Sequence, residues 1–291
     1  MSKKLVIADS GSTKTHWAIG SPEGGYWEWK KVSTEGLNPR QTSKERFDKV
    51  LREVKQEIGV ESEVARVWFY GAGCGTEEMK ERVKREVREM LESEEVEVEG
   101  DLMGACRAVR GEESGLVAIV GTGSNACMYD GRKIVRQVVS TGYVLGDEGS
   151  GNHIGRVLLK EYLVGRMPKE LATEFEKEYP GSVDERLQKL YKGETPNRYL
   201  AEFAKFAAKR REEEYVKKVL SRVFEAFWKE QIEPIAEGES EVRMVGSVAE
   251  TFKEEIRKAA PKGMRVGSVE KEPIEGLKRW IERRCVKNEL I

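Results

Sequence analysis

One local pattern occurs twice in this chain: an apolar strand ends in small, hydroxylated and glycine residues, and a second strand follows. The first copy is DSGSTKT at 9–15, and the second is VGTGSNA at 120–126. Such turns expose consecutive backbone N–H groups, because no large side chain blocks the approach of an anion. The pair predicts two related halves that bind the phosphates of one nucleotide. For either copy alone, an ordinary hairpin turn is the alternative.

The order of predicted elements indicates a duplication. In the first half, the apolar pattern predicts three strands and then helix, strand, helix, strand, helix, and the second half repeats this order. The predicted strands are 4–8, 15–20, 26–32, 64–70, 96–99, 116–120, 125–129, 133–139, 242–245 and 264–269. The third and fourth strands of the second half are far apart, so we expect inserted helices at about 154–232. The expected domains are 1–112 and 113–291.

Charge and hydropathy exclude several kinds of partner. The 291 residues carry 51 Lys and Arg against 52 Asp and Glu, so no overall field attracts nucleic acid or an anionic membrane. No segment approaches the roughly 18–20 apolar residues of a membrane span, and the start of the chain leads directly into a strand. We therefore expect a cytoplasmic protein.

The cysteines are far apart and form no CxxC pair. They are Cys74, Cys106, Cys127 and Cys285. This spacing predicts buried thiols in preference to a disulfide framework or a zinc site.

A longer series of motifs resembles one known family. In chain order the motifs are DSGSTKT, GLNP at 36–39, YGAGC at 70–74, GTGSN at 121–125, GYVLGDEGSG at 142–151, PNRYLA at 196–201, VGSVAE at 245–250 and PIEGL at 273–277. The series is similar to the N-acetylglucosamine kinase-like members of the BadF/BadG/BcrA/BcrD ATPase family, over essentially the whole chain. The resemblance implies an α/β fold of two ribonuclease-H-like (actin-like ATPase) domains with mixed five-stranded sheets and a helical insertion in the second.

The resemblance also implies how ATP and Mg²⁺ bind. The residues implied to surround the ATP phosphates are Gly11, Ser12, Thr13, Lys14, Thr122 and Gly123. Asp9 is implied to hold Mg²⁺ through water. A Walker A loop is excluded, because the GxxxxGK[ST] spacing is missing and the turn leads into a strand. Gly246 and Ser247 are implied to contact adenosine, with a plain helix N-cap by Ser247 as the alternative.

Asp101 is the expected catalytic base. Phosphoryl transfer to a hydroxyl group needs a carboxylate that accepts the proton. Asp101 follows a predicted strand and precedes a predicted helix, at the carboxyl edge where α/β sheets bind ligands. Related proteins carry the base at this position, although Gly100 replaces the polar residue expected before it. The alternative role for Asp101 is to cap the helix at Leu102.

The segment 142–155 combines two carboxylates, several glycines and a histidine. Carboxylates accept hydrogen bonds from sugar hydroxyls, and glycines let a sugar ring approach the backbone. The resemblance implies a sugar site formed by Asn38, Gly73, Asp147 and Glu148. A loop-to-helix capping segment is the alternative. Asn152 and His153 stand where a small apolar pair is expected, and a histidine here is more often a capping or surface residue than a ligand.

These expectations describe an ATP-dependent sugar kinase that phosphorylates N-acetylglucosamine at the 6-hydroxyl. A kinase for glucosamine or N-acetylmuramic acid is an alternative within that class. A second alternative is the ATPase activator of an iron–sulfur dehydratase, which needs cysteines that hold a cluster. A third is an actin-like or chaperone scaffold that binds ATP without a sugar. The expected partners are ATP and a small amino sugar, with no nucleic acid and no membrane, and a homodimer stays open.

Overall fold

The computed structural model describes residues 3–11, 13–24, 26–59 and 61–286. The described residues form two compact units. The first unit contains the residues up to Gly111 and those from Pro273 onward, and the second is Glu112–Glu272.

The first unit is built on a mixed five-stranded sheet. Its elements are β1 (Lys4–Ser10), β2 (Lys14–Glu23), β3 (Tyr26–Glu35), α1 (Lys44–Ile58), β4 (Val64–Gly71), α2 (Glu77–Leu91), β5 (Glu95–Gly100), α3 (Asp101–Val109) and the C-terminal helix α13 (Pro273–Val286). The strand order is β3-β2-β1-β4-β5. The β1–β2 and β2–β3 pairs are antiparallel, whereas β1–β4 and β4–β5 are parallel.

Burial explains why the central strands were predictable. Residues 5–8 of β1 and 67–70 of β4 are buried, so these strands are continuous apolar runs with no polar alternation. Helix α1 instead places Phe47, Leu51 and Val54 on one buried face. Its first turn is capped by Ser43, whose side chain accepts a hydrogen bond from the Arg46 N–H.

The second unit repeats the same sheet. Its strands are β6 (Gly115–Val120), β7 (Ser124–Tyr129), β8 (Ile134–Gln137), β9 (Glu241–Val245) and β10 (Arg265–Glu270). They lie in the order β10-β9-β6-β7-β8, with β6–β7 and β7–β8 antiparallel and β6–β9 and β9–β10 parallel. Read from β8, this is the order of the first sheet, so the predicted duplication is confirmed.

Helices fill the long stretch between β8 and β9. They are α4 (Gly142–Leu145), α5 (Gly151–Leu163), α6 (Lys169–Glu178), α7 (Val183–Lys192), α8 (Pro196–Glu202), α9 (Ala204–Lys209) and α10 (Glu214–Phe227), then a π-helical turn (Trp228–Ile232) and a 3₁₀ turn (Glu233–Ile235). Helices α11 (Ser247–Thr251) and α12 (Lys253–Lys258) follow β9. Phe175 packs on Phe203 and Phe206, with ring centroids 5.1 and 5.2 Å apart. The apolar residues of this region therefore form a helical core, and the predicted helical insertion is present.

The C-terminal helix differs from the predicted domain organisation. We expected a second domain at 113–291, but α13 packs on α3, β1 and β2 of the first unit. The contact is close, since a Cβ on Gly276 would lie 2.7 Å from the carbonyl carbon of Ala108. Helical periodicity reveals that the helix exists, but it does not reveal which sheet the helix covers.

The cysteines agree with their prediction. Cys74, Cys106, Cys127 and Cys285 are all buried thiols. Across the described ranges, every helix is too short or too polar to cross a membrane.

Candidate functional site

The first turn, residues 11–13, joins β1 to β2 at the carboxyl end of β1. The Gly11 N–H donates to the Lys14 carbonyl at 3.0 Å, and Gly11, Thr13 and Lys14 are exposed. Beneath the turn, the buried hydroxyls of Ser10 and Thr15 lie 2.8 Å apart. The turn therefore presents small, accessible residues above a fixed polar base. Ser12, also predicted here, lies outside the described residues.

The GLNP motif is attached to this turn. The Leu37 N–H donates to Ser10 Oγ at 3.0 Å, and the Gly36 N–H donates to the Thr13 carbonyl at 3.0 Å. These bonds place Asn38 beside Gly73, which has φ +87°. A Cβ on Gly73 would lie 2.9 Å from Asn38 Cγ, so only glycine fits. The structure thus brings together these two residues of the predicted sugar site.

Asp9 and Asp101 share the carboxyl edge of the first sheet. Ser10 of β1 pairs with Gly71 of β4, and Gly71 pairs with Gly100 of β5. Asp9 precedes this row and Asp101 follows it. Since adjacent strands are about 4.8 Å apart, the backbones of the two aspartates are separated by two strand spacings, about 10 Å, across the sheet, and they are also offset along the strands.

Asp101 is the first residue of α3, and it is half-buried. Its Oδ1 accepts a hydrogen bond from the neighbouring Leu102 N–H at 2.9 Å, but the N-cap of α3 is Gly100, so the structure differs from the alternative in which Asp101 caps the helix. Burial raises the pKa of the Asp101 carboxyl, although the N–H groups of Leu102 and of Asp101 itself oppose this shift. A raised pKa strengthens a carboxylate as a proton acceptor.

The Cys74 thiol belongs to the same neighbourhood. Burial, and secondarily the charge of Asp101, raises the pKa of Cys74 to about 12. The thiol stays protonated at neutral pH, so nucleophilic thiolate chemistry is not expected at this position.

The second turn, residues 121–123, joins β6 to β7. The Gly121 N–H donates to the Gly123 carbonyl at 2.9 Å, two residues ahead, whereas Gly11 of the first turn donates to Lys14, three residues ahead. Two N–H groups at the start of α5 also donate to the turn: Gly151 N to Gly121 O at 2.8 Å, and Asn152 N to Thr122 O at 3.1 Å. The start of α5 therefore fixes the carbonyls of the turn and leaves Thr122 exposed.

The acidic loop, residues 146–150, folds back onto the second turn. Asp147 has φ +58°, a left-handed conformation that Asp tolerates better than most residues. Its Oδ1 accepts from the Ser124 N–H at 3.2 Å, and its Oδ2 accepts from Asn152 Nδ2 at 2.7 Å. A Cβ on Gly123 would lie 2.9 Å from Asp147 Oδ2. Sequence reasoning assigned Asp147 to the sugar and did not foresee this contact with the turn.

Glu148 is held by two further contacts. The Ser124 hydroxyl donates to the Glu148 carbonyl at 2.7 Å, and Gln231 Nε2 donates to Glu148 Oε2 at 2.7 Å. Gln231 is buried in the π-helical turn. Sequence reasoning missed Gln231, and the only available signal was a polar residue within an apolar helical pattern.

Gly246 and Ser247 lie beside the second turn. Gly246 has φ +124°, and a Cβ there would lie 2.7 Å from the carbonyl carbon of Val120. The helix cap differs from the predicted alternative, because Gly246 is the N-cap of α11 and Ser247 is its first helical residue. Ser247 is exposed at the same sheet edge as residues 121–123.

His153 is held by hydrogen bonds to the acidic loop. Its Nδ1 accepts from the Gly149 N–H at 3.1 Å, and its own N–H donates to Ser150 Oγ at 3.2 Å. Burial, together with the positive charge of Arg156, lowers the pKa of His153 to about 4. The imidazole is therefore neutral at pH 7, and it fixes the loop as a capping residue does.

Asp9 is the residue expected from the sequence to hold Mg²⁺. In the described parts of the chain, no three His, Cys, Asp or Glu side chains converge to hold an ion. Asp9, half-buried at the end of β1 beside the first turn, fits Mg²⁺, which keeps several waters and takes few protein ligands where phosphates supply the rest.

Comparisons with known proteins agree with this arrangement. The sequence profile of the BadF/BadG/BcrA/BcrD ATPase family matches residues 8–278. A candidate N-acetylglucosamine kinase from Porphyromonas gingivalis is 35% identical, and the match covers 97% of this chain and 99% of that one with a TM-score of 0.90. A search of curated proteins found no significant match.

Two more distant structures share the fold. A candidate N-acetylglucosamine kinase from Chromobacterium violaceum is 16% identical, with 96% and 99% of the two chains covered and a TM-score of 0.74. A ROK family glucokinase from Streptomyces griseus, solved with glucose and AMPPNP, is also 16% identical, with 98% and 100% covered and a TM-score of 0.54. The two mixed five-stranded sheets and these likenesses confirm the predicted two-domain, actin-like ATPase fold.

Proposed function

This chain belongs to the BadF/BadG/BcrA/BcrD ATPase family, and from that premise we propose that it is an ATP-dependent sugar kinase that phosphorylates N-acetylglucosamine at the 6-hydroxyl. The observation that carries the proposal is the nearly full-length, 35% identical match to the candidate N-acetylglucosamine kinase from Porphyromonas gingivalis. Two glycine turns, one in each unit and each following the first strand of its sheet, support the use of ATP.

The phosphates of ATP are assigned to the two turns. The first turn offers accessible backbone at Gly11 and Thr13 and the ammonium group of Lys14, and the second offers Thr122 and Gly123. Positive charge and backbone N–H groups stabilise phosphate oxygens. Asp9 would hold Mg²⁺ through water, and the ion would neutralise charge on the departing phosphate. Gly246 and Ser247 are assigned to adenosine because their motif implies that role, and both lie beside the second turn.

Asp101 is assigned as the general base. Its carboxylate would accept the proton of the sugar hydroxyl while the hydroxyl oxygen forms a bond to the γ-phosphorus and the bond from that phosphorus to the ADP oxygen breaks. The products are ADP and the sugar 6-phosphate. The raised pKa of Asp101 favours this proton transfer, which typically contributes about 10²- to 10⁴-fold to the rate.

The sugar is assigned to carboxylate and amide groups. Asp147 and Glu148 would accept hydrogen bonds from its hydroxyls, as charged acceptors do more strongly than neutral ones. Asn38 is assigned to the sugar because its GLNP motif implies that role. Gly73 has no side chain, so its backbone lies directly against Asn38.

An assay of ADP release tests the proposal and its alternatives. ATP turnover should require an amino sugar, so the rate is measured with N-acetylglucosamine, glucosamine, N-acetylmuramic acid, glucose, and no sugar. N-acetylglucosamine should give the highest kcat/KM. A higher value for another amino sugar would keep the kinase class and replace the substrate. Equal ADP release without any sugar would refute the kinase and favour an ATPase activator or scaffold.

A further inference from the structure

The Asp147 and Asn152 side chains join the acidic loop to the second turn, and we propose that Asn152 is a positioning residue that couples sugar binding at Asp147 to the geometry of the turn. The inference rests on the proposed function, which assigns the sugar to Asp147 and the nucleotide phosphates to Thr122 and Gly123.

The Asp147 carboxylate, which the proposed function assigns to the sugar, contacts the turn that it assigns to the phosphates. Asp147 Oδ1 accepts from the Ser124 N–H, directly after the second turn, and Oδ2 lies against Gly123. The carboxylate is half-exposed, so a ligand can reach it without unfolding the loop. A sugar hydroxyl that donates a hydrogen bond to Asp147 would therefore act on the same carboxylate that contacts the turn.

Asn152 completes this link through both its backbone and its side chain. Its N–H donates to the Thr122 carbonyl at 3.1 Å, while its Nδ2 donates to Asp147 Oδ2 at 2.7 Å. The residue is fully buried, and its Oδ1 has no hydrogen-bond partner among the described residues. The bond to Asp147 is thus the side chain's one described polar contact, and leaving it unmade would be costly at a buried site. A displacement of Asp147 therefore displaces Asn152 and, with it, the bond to Thr122.

The side-chain amide is what distinguishes Asn152 from an apolar residue at this position, because only the amide can donate to Asp147. An apolar side chain would leave the backbone bond to Thr122 in place but remove the link to the carboxylate. The amide is therefore the element that makes the turn sensitive to what Asp147 binds.

The coupling can be measured by calorimetry on the full chain. The dissociation constant of AMPPNP is determined without sugar and with saturating N-acetylglucosamine, and the ratio of the two values is the coupling. By linkage the sugar affinity must change by the same ratio when AMPPNP is present. For the wild type we expect a ratio of at least about fivefold, the lower end of the usual range for coupled sites.

Asn152→Ala removes the amide and keeps the backbone bond. We expect its ratio to fall below about twofold while both ligands still bind, because the hydrogen bond that links residue 152 to Asp147 is removed. The matched control is Val157→Ala on the same helix, whose side chain packs on the core and makes no polar contact with the loop. Val157→Ala should keep the wild-type ratio even if it unfolds at a lower temperature.

Asn152→Asp gives a pH-dependent test. Two carboxylates at hydrogen-bond distance share a proton at low pH and repel each other when both are ionised. The coupling of this variant should therefore return as the pH falls from about 7.5 to about 5.5, whereas the wild-type ratio stays level. Other charged groups near Asp147 are Glu148 and Arg156, and both are also present in the wild type. A purely structural role for residue 152 predicts no such recovery.

The outcomes separate the two proposals. A wild-type protein that binds no amino sugar would overturn the proposed function and this inference together. A wild-type ratio near one, with both ligands bound, would overturn this inference alone. An Asn152→Ala ratio equal to that of the wild type would also overturn this inference and leave the proposed function intact. If Asn152→Ala does not fold, the pH dependence of Asn152→Asp decides.

Discussion

Asp101 begins helix α3 with its carboxyl group half-buried, and its Oδ1 accepts the Leu102 N–H. Asn at this position keeps an oxygen acceptor for that N–H but cannot take up a proton. We therefore expect Asp101→Asn to lower kcat by about 10²- to 10⁴-fold, as for the loss of a positioned base, with little change in AMPPNP affinity. In the wild type, kcat should rise with pH through a value above the usual 3.8 of aspartate, because burial raises this pKa. An unchanged kcat in the variant would leave Asp101 only its hydrogen bond to the Leu102 N–H.

His153 gives a prediction about stability. In the folded protein its pKa is lowered from 6.5 to about 4, so between these values only the unfolded chain binds the proton. The free energy of unfolding should therefore decrease as the pH falls through this window. His153→Asn keeps an acceptor for the Gly149 N–H and removes the titration. Urea titrations between about pH 7 and about pH 5 should show a shallower decrease for the variant.

The control for His153 is the other histidine of the chain. His16→Asn removes a histidine from β2, outside the acidic loop, and tests whether the loss of any imidazole produces the effect. Parallel curves for the wild type and His153→Asn would contradict the buried, neutral state of His153.

Motifs located the candidate residues, but they could not reveal the contacts among them. Asp147 and Ser124 are 23 positions apart, and their bond depends on the left-handed backbone at Asp147. A local pattern has no information on such a contact, because it forms only when the loop folds back on the turn. The resemblance implied that Asn38 and Gly73 belong to one sugar site, but it did not predict that the two residues are in contact.

Helix α3 shows how an element is fixed by its neighbours. On one side, a Cβ on Gly104 would lie 2.8 Å from Tyr70 Cβ. On the other, Gly276 of α13 approaches the carbonyl of Ala108. The Arg107 guanidinium also lies 4.6 Å from the centre of the Trp280 ring. These close contacts hold the helix that carries Asp101.

Gly276→Ala should therefore destabilise the first unit. The added methyl group would meet the backbone of Ala108, which cannot rotate away as a side chain can, so we expect a loss of about 1–3 kcal/mol in the free energy of unfolding. Urea denaturation measures this loss. Gly75→Ala is the matched control, since a Cβ there meets nothing within 4 Å. Equal stabilities of the two variants would show that α3 and α13 are not tightly packed.

At the level of elements, the sequence predicted every strand of both sheets, but several ends were wrong. Strand β2 was predicted to end at Gly20, yet it continues to Glu23 by pairing with β3 from Ser21 onward. The added residues are Ser21, Pro22 and Glu23, which carry no large apolar side chain, so they are missing from an apolar pattern. Their extended form depends on cross-strand hydrogen bonds, which are tertiary information.

For the whole molecule, the order of elements along the chain predicted the duplication, but it did not predict which unit the final helix belongs to. The equal order of elements in the two halves follows from local periodicity, and the two sheets bear it out. The position of α13 depends on the contact of Gly276 with Ala108, 168 positions earlier in the chain. The first unit is therefore interrupted in sequence by the second, which occupies Glu112–Glu272.

This interruption predicts how the chain can be divided. Helix α13 buries Ile274, Leu277, Trp280 and Ile281. At about 1.5–3 kcal/mol for each large apolar side chain, their removal would cost about 6–12 kcal/mol, comparable to the whole stability of a domain. Residues 1–111 alone should therefore fail to fold cooperatively. The same residues joined to 273–291 should fold. A Gly/Ser linker of about 10 residues has a mean span of about 16–19 Å. This is long enough, because Gly111 lies close to Trp280. Circular dichroism during urea titration measures both polypeptides. A cooperative transition of equal midpoint for residues 1–111 alone would show that α13 is dispensable to the first unit.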